Sequence, residues 1–518
     1  MNINELQQEL DNAKQIKKPQ TMKELYQLLQ SLGETWRDEH KEEKEITKGN
    51  RKGEVETKIP RPSVAEVANI LLKHCYFTFI GYSKLTDSSQ LYIYHLDLGY
   101  YIASRDIVNK LILKFDSRLT SKRFTEEVII FLRTETKIKP PMQESYLIPV
   151  RNGIFNLHTK QLEPFSPKHV ITTKITTAYN PKAKKPLLGG WFDFDKWLGT
   201  LACDDKEITT LLWQVMNEAI NPNRTRKKMV ILTGDGNNGK GTFQALLENL
   251  IGKENISNLK PDQFQEQHLL SALNGKVCNI GDDISDKYLD SVSDLMSIVT
   301  GDTIQVNPKH LQPYEATYRL LCIFSGNGIP RSRNKSQGWY RRLCIVPFNA
   351  DFNGIVERPE IKDDFIKNKE LLEWVLYKIL NMPEFDKFIE PKAVKDMLDE
   401  YKEDNDFYYS FVVGTYIPNG YHELQHVPLP IIKQWLEEFT EDEGIKNANL
   451  YGYGKKMLAV LNKETEKTYT IKNGRVPLND HKTLKVHKNI AHKRLFQAFP
   501  RHSKESLQMS WFYSFRFL

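Results

Sequence analysis

Short apolar runs that stop at glycine or polar turns mark the middle of this chain. Met229-Val230-Ile231-Leu232, Val277-Cys278-Asn279-Ile280, Arg319-Leu320-Leu321-Cys322-Ile323-Phe324 and Leu343-Cys344-Ile345-Val346 lack a polar face and predict buried strands. Between the second and third, alternating residues flank Asn307-Pro308 and predict a hairpin with a basic tip, Lys309-His310. Helical periodicity appears in residues 1–36, after the starting signal Pro60-Arg61-Pro62-Ser63, and over Glu370 to Leu380 and Ala393 to Tyr401. Two further helices, Pro430 to Phe439 and Tyr453 to Leu461, precede a strand and turn over Thr468 to Val476, an order compatible with a winged helix. Arg37 to Lys58 is charge-dense and poor in large apolar residues, so it reads as a linker. No internal repeats or low-complexity tracts interrupt this order. The expected division is 1–60 helical segment and linker, 61–185 α+β domain, 186–360 central α/β domain, 361–405 helical connector, and 406–518 basic winged-helix-like domain.

The chemistry begins where the first buried strand ends. Gly234-Asp235-Gly236-Asn237-Asn238-Gly239-Lys240-Gly241-Thr242 has the composition of a phosphate-binding loop. Glycines let backbone N–H groups close on phosphate oxygens, the following helix adds its positive end, and Lys240 adds a mobile cation. The usual pattern puts Ser or Thr directly after the lysine as a Mg²⁺ ligand, but Gly241 stands there and Thr242 follows. Either Thr242 reaches the metal or water takes that position. The competing reading is a Gly/Asn turn that happens to contain a lysine.

The second strand ends in Asp282-Asp283, which read as a Walker B pair. Asp282 is expected to hold Mg²⁺ and Asp283 to orient and deprotonate the attacking water. An acidic turn after a strand is the plainer alternative. The third strand leads to Asn327, whose neutral amide suits a sensor that hydrogen-bonds phosphate and water without adding charge. Arg341-Arg342 precedes the fourth strand, and arginine suits a finger that neutralises transition-state phosphates in an adjacent subunit.

Taken in order, the loop, acidic strand, Gly-Asp hairpin, Ser-x-Asn strand and arginine pair resemble superfamily 3 helicases of the AAA+ class. The Asn-Gly-Lys-Gly-Thr-Phe form of the loop, with upstream Leu147 to Leu157, Glu163 to Pro167 and Tyr179-Asn180-Pro181, is similar to the poxvirus-type primase-helicase branch of phages, plasmids and integrative islands. Within that branch the chain looks like the self-loading Rep helicases of staphylococcal pathogenicity islands and cassette elements. The resemblance implies a P-loop AAA+ core, with ATP and Mg²⁺ bound between subunits of a ring, expected to be a hexamer. It assigns Lys309 and His310 to the DNA backbone in a central channel, and Arg342 to the finger with Arg341 as substitute. Primer synthesis is not expected, because the amino-terminal half offers only isolated carboxylates such as Asp97.

Composition adds a location and a second DNA contact. No apolar run approaches the ~20 residues of a membrane span and the amino terminus is not a secretory signal, so a cytoplasmic protein is expected. Cysteines 75, 203, 278, 322 and 344 show no paired spacing, which argues against zinc or a disulfide framework. The net charge of +7 is concentrated: from Lys446 onward 15 Lys and Arg face 4 Asp and Glu. Lys485, Lys488, Lys493 and Arg494, with His487, are candidates to track duplex phosphates, the alternative being a solvated basic face. The leading reading is an ATP-driven helicase that opens the origin of a mobile element, with possible loading or regulatory partners. A packaging or remodelling ATPase, or an origin-binding protein with a structural nucleotide, remain as alternatives.

Overall fold

The computed structural model describes residues 19–45, 55–81, 89–285, 287–309, 312–354, 358–423, 426–443, 445, 450–465, 468–474 and 512–517. His310, Lys485, His487, Lys488, Lys493 and Arg494 lie outside the described residues.

The first helix, α1 (Met22–Glu39), buries Met22, Leu25, Leu29 and Gly33, one face of a 3.6-residue period. Its start is held by Asp97, whose carboxylate accepts the Met22 N–H at 3.0 Å; this isolated acid is a helix cap. Exposed strands β1 (Glu42–Glu45) and β2 (Val55–Lys58) then pair antiparallel, so the described parts of the expected 37–58 linker are a helix end and two paired strands. Next come α2 (Val64–His74), with the Ser63–Glu66 capping box, β3 (Phe77–Ile80), β4 (Leu91–His95), β5 (Tyr100–Ile102), α3 (Arg105–Phe115), α4 (Lys122–Glu135) and β6 (Ile138–Lys139). The four strands from β3 to β6 form one sheet in the order β5-β4-β3-β6. Leu25 and Leu29 of α1 share a core with Val67, Leu71, Leu111, Ile112, Val128 and Leu132. The expected boundary at 60 therefore cuts through one packed unit. Its tightest contact is Gly33, where a Cβ would stand 1.7 Å from the Phe115 carbonyl oxygen.

A second body follows. It contains the antiparallel strands β7 (Leu147–Val150), β8 (Gly153–Asn156) and β9 (Gln161–Glu163), then α5 (Phe194–Leu201), α6 (Lys206–Ala219), β10 (Met229–Thr233), α7 (Lys240–Ile251), β11 (Ile256–Ser257) and β12 (Cys278–Gly281). The chain continues through α8 (Ser293–Thr300), the hairpin β13 (Thr303–Val306) and β14 (Tyr314–Thr317), β15 (Leu321–Gly326), α9 (Gln337–Tyr340), β16 (Leu343–Pro347), α10 (Pro359–Asp363), α11 (Lys369–Asn381) and α12 (Lys392–Asn405). Five strands make a parallel sheet in the order β11-β12-β15-β10-β16. Strand alternation sends Val230, Leu232, Ile323 and Val346 into a core covered by α5, α6, α7 and α11. Met229, Ile231, Phe324 and Ile345 enter a second core on the opposite face, shared with α8 and the hairpin. Both faces are covered, which is why these runs read as continuously apolar.

Ile148, Val150, Phe155 and Tyr179 belong to the first of these cores, as do Leu371, Val375 and Leu380 of α11. The expected boundaries at 185 and 360 thus divide side chains that pack together, and α11 is a structural layer of this body, not a connector. Its rim carries a buried charge cluster: Glu218, 1% exposed, accepts from Arg224 at 2.8 Å and pairs with Arg226. Burial pushes both guanidiniums down to about 10. Removing the shared charge takes the close carboxylate from two partly buried cations, so Glu218→Gln is expected to cost about 3 kcal/mol in a urea titration. A loss within ~0.5 kcal/mol, the scale of an exposed ion pair, contradicts that expectation.

The remaining elements are α13 (Phe407–Phe411), β17 (His426–Pro428), α14 (Leu429–Asp442), α15 (Tyr453–Thr465), β18 (Tyr469–Gly474) and β19 (Phe512–Phe517). Antiparallel strands in the order β17-β19-β18 cover a small core containing Phe411, Ile432, Leu436, Met457 and Leu461. The helix, strand, helix, helix, strand, strand succession contains the two helices and the strand expected from the sequence. Among the described residues no helix is long and apolar enough to cross a membrane.

Candidate active site

Loop 234–239 leaves the carboxyl end of β10 under tight constraint. A Cβ at Gly234 would lie 2.2 Å from the Phe348 carbonyl oxygen, and one at Gly239 would lie 2.3 Å from Leu201 Cδ2. Gly239 also needs its positive φ of 87° to turn the chain into α7. Asn238, 3% exposed, donates to the carbonyls of Asp235 and Phe348, the latter at 2.8 Å, which ties the loop to the end of β16. Asn237 is held by Phe352 N–H at 2.9 Å and bonds Asn353 at 2.7 Å. The result is a loop braced from both sides at the start of a helix.

Lys240 folds back over this loop, donating to the carbonyls of Gly234 and, at 3.0 Å, Asp235. Burial holds its ammonium below the usual lysine range, while Asp235 and Asp282 pull it upward. The Asp282 carboxylate is thus within electrostatic reach of the loop lysine. Gly241 and Thr242 are half-buried in the first turn of α7, and Gly236 lies at the open loop tip.

Asp282 and Asp283 follow β12 and are both exposed. Asp282 Oδ1 accepts the Asp283 N–H at 2.9 Å and the Ser325 hydroxyl. Asp283 occupies the left-handed region, φ 50°, and its carbonyl accepts from Lys260 at 2.8 Å. Ser325 belongs to β15, which runs two residues further than its apolar stretch suggests. Its Oγ also lies 3.1 Å from the side chain of Gln244, a residue of α7 that is 3% exposed and whose Nε2 lacks a partner. One hydroxyl proton cannot serve both neighbours, and the charged carboxylate takes it. Turning the Gln244 amide over lets Nε2 donate to Ser325 Oγ, giving a relay from Gln244 through Ser325 to Asp282. Sequence reading passed over Ser325 and Gln244. The signal available for Ser325 was its phase, because it lies two residues beyond Ile323 on the same face of the strand.

Other expected residues stand apart from this relay. Asn327 lies exposed beyond the end of β15. Lys309 is exposed at the turn of the β13–β14 hairpin. The arginine pair just before β16 is split: Arg341 is exposed, whereas Arg342 is 9% exposed and donates to the Gly338 carbonyl of its own chain. Burial, then the neighbouring Arg341 charge, holds the Arg342 guanidinium below the usual arginine range.

Loops 283–292 and 327–336 are joined. Leu289 N–H bonds the Arg331 carbonyl at 2.8 Å, and Arg333 N–H bonds the Leu289 carbonyl at 2.9 Å. The second loop is tied in turn to later elements: Tyr401 donates to the Pro330 carbonyl at 3.0 Å, Asn405 accepts from Ser332 at 2.6 Å, Lys335 faces Asp406 at 3.3 Å, and Arg331 pairs with Glu443.

The donor set fits a magnesium ion carried by a phosphate substrate. Among the described residues no group of three or more His, Cys, Asp or Glu side chains is placed to hold a metal unaided. Magnesium on a nucleotide needs only one or two carboxylates beside phosphate oxygens, and Asp282 is an exposed carboxylate held in place by Ser325.

Comparison with known proteins finds two partial family matches and distant relatives. Residues 13–203 match the family described as D5 N terminal like, and 232–342 match a family of unknown function, DUF5906. The chain is 22% identical over 284 residues to a putative helicase, 121R, of Invertebrate iridescent virus 3, covering 52% of this chain and 29% of that one. It is 23% identical over 259 residues to putative helicase 184R of Invertebrate iridescent virus 6, covering 45% and 25%. The match therefore spans less than a third of either viral protein. Among solved structures, the A form apo structure of the NrS-1 C terminal region aligns over 80% of this chain and 97% of that one, with 14% identity and a TM-score of 0.45. This chain thus carries a D5-like amino-terminal region, beside a parallel-sheet body, and resembles viral proteins named as putative helicases.

Proposed function

We propose that this chain is an ATP-driven replicative DNA helicase and initiator of a mobile genetic element, acting as a ring, with a hexamer expected. The observation that carries the reading is that loop 234–239, Asp282-Asp283 and Ser325 lie at the carboxyl ends of β10, β12 and β15 of one parallel sheet, with β15 between the other two. Open parallel sheets bind ligands at that edge. The strand order and the relay onto Asp282 support a P-loop AAA+ core, with Lys240 and the loop N–H groups holding ATP phosphates. Asp282, with Thr242, would hold magnesium, which would neutralise phosphate charge and fix the phosphates in line. Asp283 would accept the proton of the attacking water.

The burial of Arg342 changes the finger assignment. A guanidinium held by its own chain is poorly disposed to cross an interface, so Arg341 becomes the proposed finger and Arg342 a support for the turn that presents it. Lys309 would contact DNA in the channel. The carboxy-terminal module, with its helices and three-stranded sheet, is the proposed origin reader.

Fork unwinding measured with and without ATP, beside ATP turnover, tests the whole reading. ATP turnover without strand separation favours a remodelling ATPase, and origin binding without turnover favours a structural nucleotide. Lys309→Ala is expected to keep DNA-independent turnover and ring assembly but lose most unwinding; normal unwinding removes the hairpin from the mechanism. Ser325→Ala should raise the magnesium concentration needed for half-maximal turnover by about 10- to 100-fold, because it frees the carboxylate that the hydroxyl orients. An unchanged magnesium titration contradicts the relay.

A further inference from the structure

Gly241, the residue that departs from the usual phosphate-loop pattern, faces another cation. A Cβ built on Gly241 would lie 3.6 Å from Lys362 Nζ. Lys362 is exposed on α10, and its neighbours Ile361 and Phe365 pack against the core beside α7. Ile366 is fully buried and its carbonyl accepts from Asn249 of α7 at 3.2 Å, so the segment carrying Lys362 is fastened to the same helix whose first turn it faces. Among the described residues no carboxylate lies within ion-pair distance of Lys362.

Two ammonium groups, those of Lys240 and Lys362, therefore stand at the N-terminal turn of a 12-residue helix. Helix N-termini carry partial positive charge and repel cations. Such an arrangement is favourable when an anion sits among the three positive elements. We infer that Lys362 is a second phosphate-binding cation, occupying the space beside the loop where the pattern's Ser or Thr hydroxyl would project. The inference rests on the nucleotide reading above and deepens it. Glycine at 241 has a physical role here: with no side chain it leaves the ammonium a clear approach to the phosphates. Because a fixed positive charge does part of the neutralising that the metal otherwise does, nucleotide affinity in this protein depends only weakly on magnesium.

The test is ATP affinity in the full-length protein, measured with a fluorescent ATP analogue in excess EDTA and again in excess magnesium. Lys362→Gln should weaken binding on the order of tenfold in EDTA, the scale of a lost charge-assisted hydrogen bond, and distinctly less with magnesium present. Lys362→Arg should stay close to wild type in both. The double variant Gly241→Ser with Lys362→Gln should recover affinity in magnesium but not in EDTA, because a hydroxyl can serve a metal but cannot replace a charge. Unchanged binding by Lys362→Gln, or an equal loss in both conditions, overturns the assignment. Lys240→Ala serves as the separate control: if it binds ATP as well as wild type, the nucleotide reading itself is wrong.

Discussion

Asp283→Asn is expected to lower ATP turnover by about 10²- to 10⁴-fold while leaving MgATP binding nearly unchanged. The structure makes this a clean substitution. Asp283 sits at φ 50°, a conformation that asparagine adopts as readily as aspartate, so the backbone has no reason to move. The bonds that fix the turn, from Asp283 N–H to Asp282 and from Lys260 to the Asp283 carbonyl, involve only main-chain atoms of residue 283. What changes is one negative charge and the ability to accept a proton. Single-turnover hydrolysis beside equilibrium ATP binding separates the two quantities. Turnover near wild type would assign the base to another group.

Arg341→Ala is expected to bind ATP yet hydrolyse it about 10³-fold more slowly, the effect of losing an arginine finger. Mixed with Lys240→Ala protein, it should regain part of its activity wherever an intact Arg341 meets an intact loop in a mixed ring. Arg342→Ala should behave differently. Its guanidinium is buried against the Gly338 carbonyl, so its loss should lower folding stability, and mixing should rescue little. Mixing experiments run on both variants decide between the two arginines. Strong rescue of Arg342→Ala with none for Arg341→Ala returns the finger to Arg342.

That arginine pair illustrates where sequence reading stops. Both arginines lie in the turn between α9 and β16, where no strand or helix period assigns either of them a face. Which of them is covered depends on Gly338 and the turn that precedes β16. Four of the five sheet strands were more legible, because strands covered on both faces must be apolar throughout and glycine-rich or acidic turns stand out at their ends, whereas the two-residue β11 has no such run. Domain boundaries were poorly legible. Charge density suggested a break after Arg37, but α1 is held by Asp97 and by the approach of Gly33 to Phe115, contacts between distant segments that leave no local pattern. The same holds for α11, whose apolar face gives no hint of which body it covers. Within the proposed site, Lys240 and the two aspartates were candidates through motif spacing. Gln244 and Lys362 did not, since each acquires its meaning only from a partner on another element, Ser325 for one and Gly241 for the other.

Loop 327–336 is bonded to Tyr401 and Asn405 of α12, and its further ion pairs with Asp406 and Glu443 give the carboxy-terminal module a stake in the nucleotide edge of the sheet. Cutting the chain before Glu443 would therefore not be a neutral amputation, since it removes the carboxylate that holds Arg331 and loosens the loop that follows β15. For a module that binds duplex as proposed, the connection also works in both directions. Thermodynamic reciprocity requires that the factor by which bound ATP changes its hold on DNA equals the factor by which bound DNA changes the hold on ATP. An origin seated on this module would then act as an effector of the ATPase, and an unrelated duplex, bound more weakly, would bias fewer molecules.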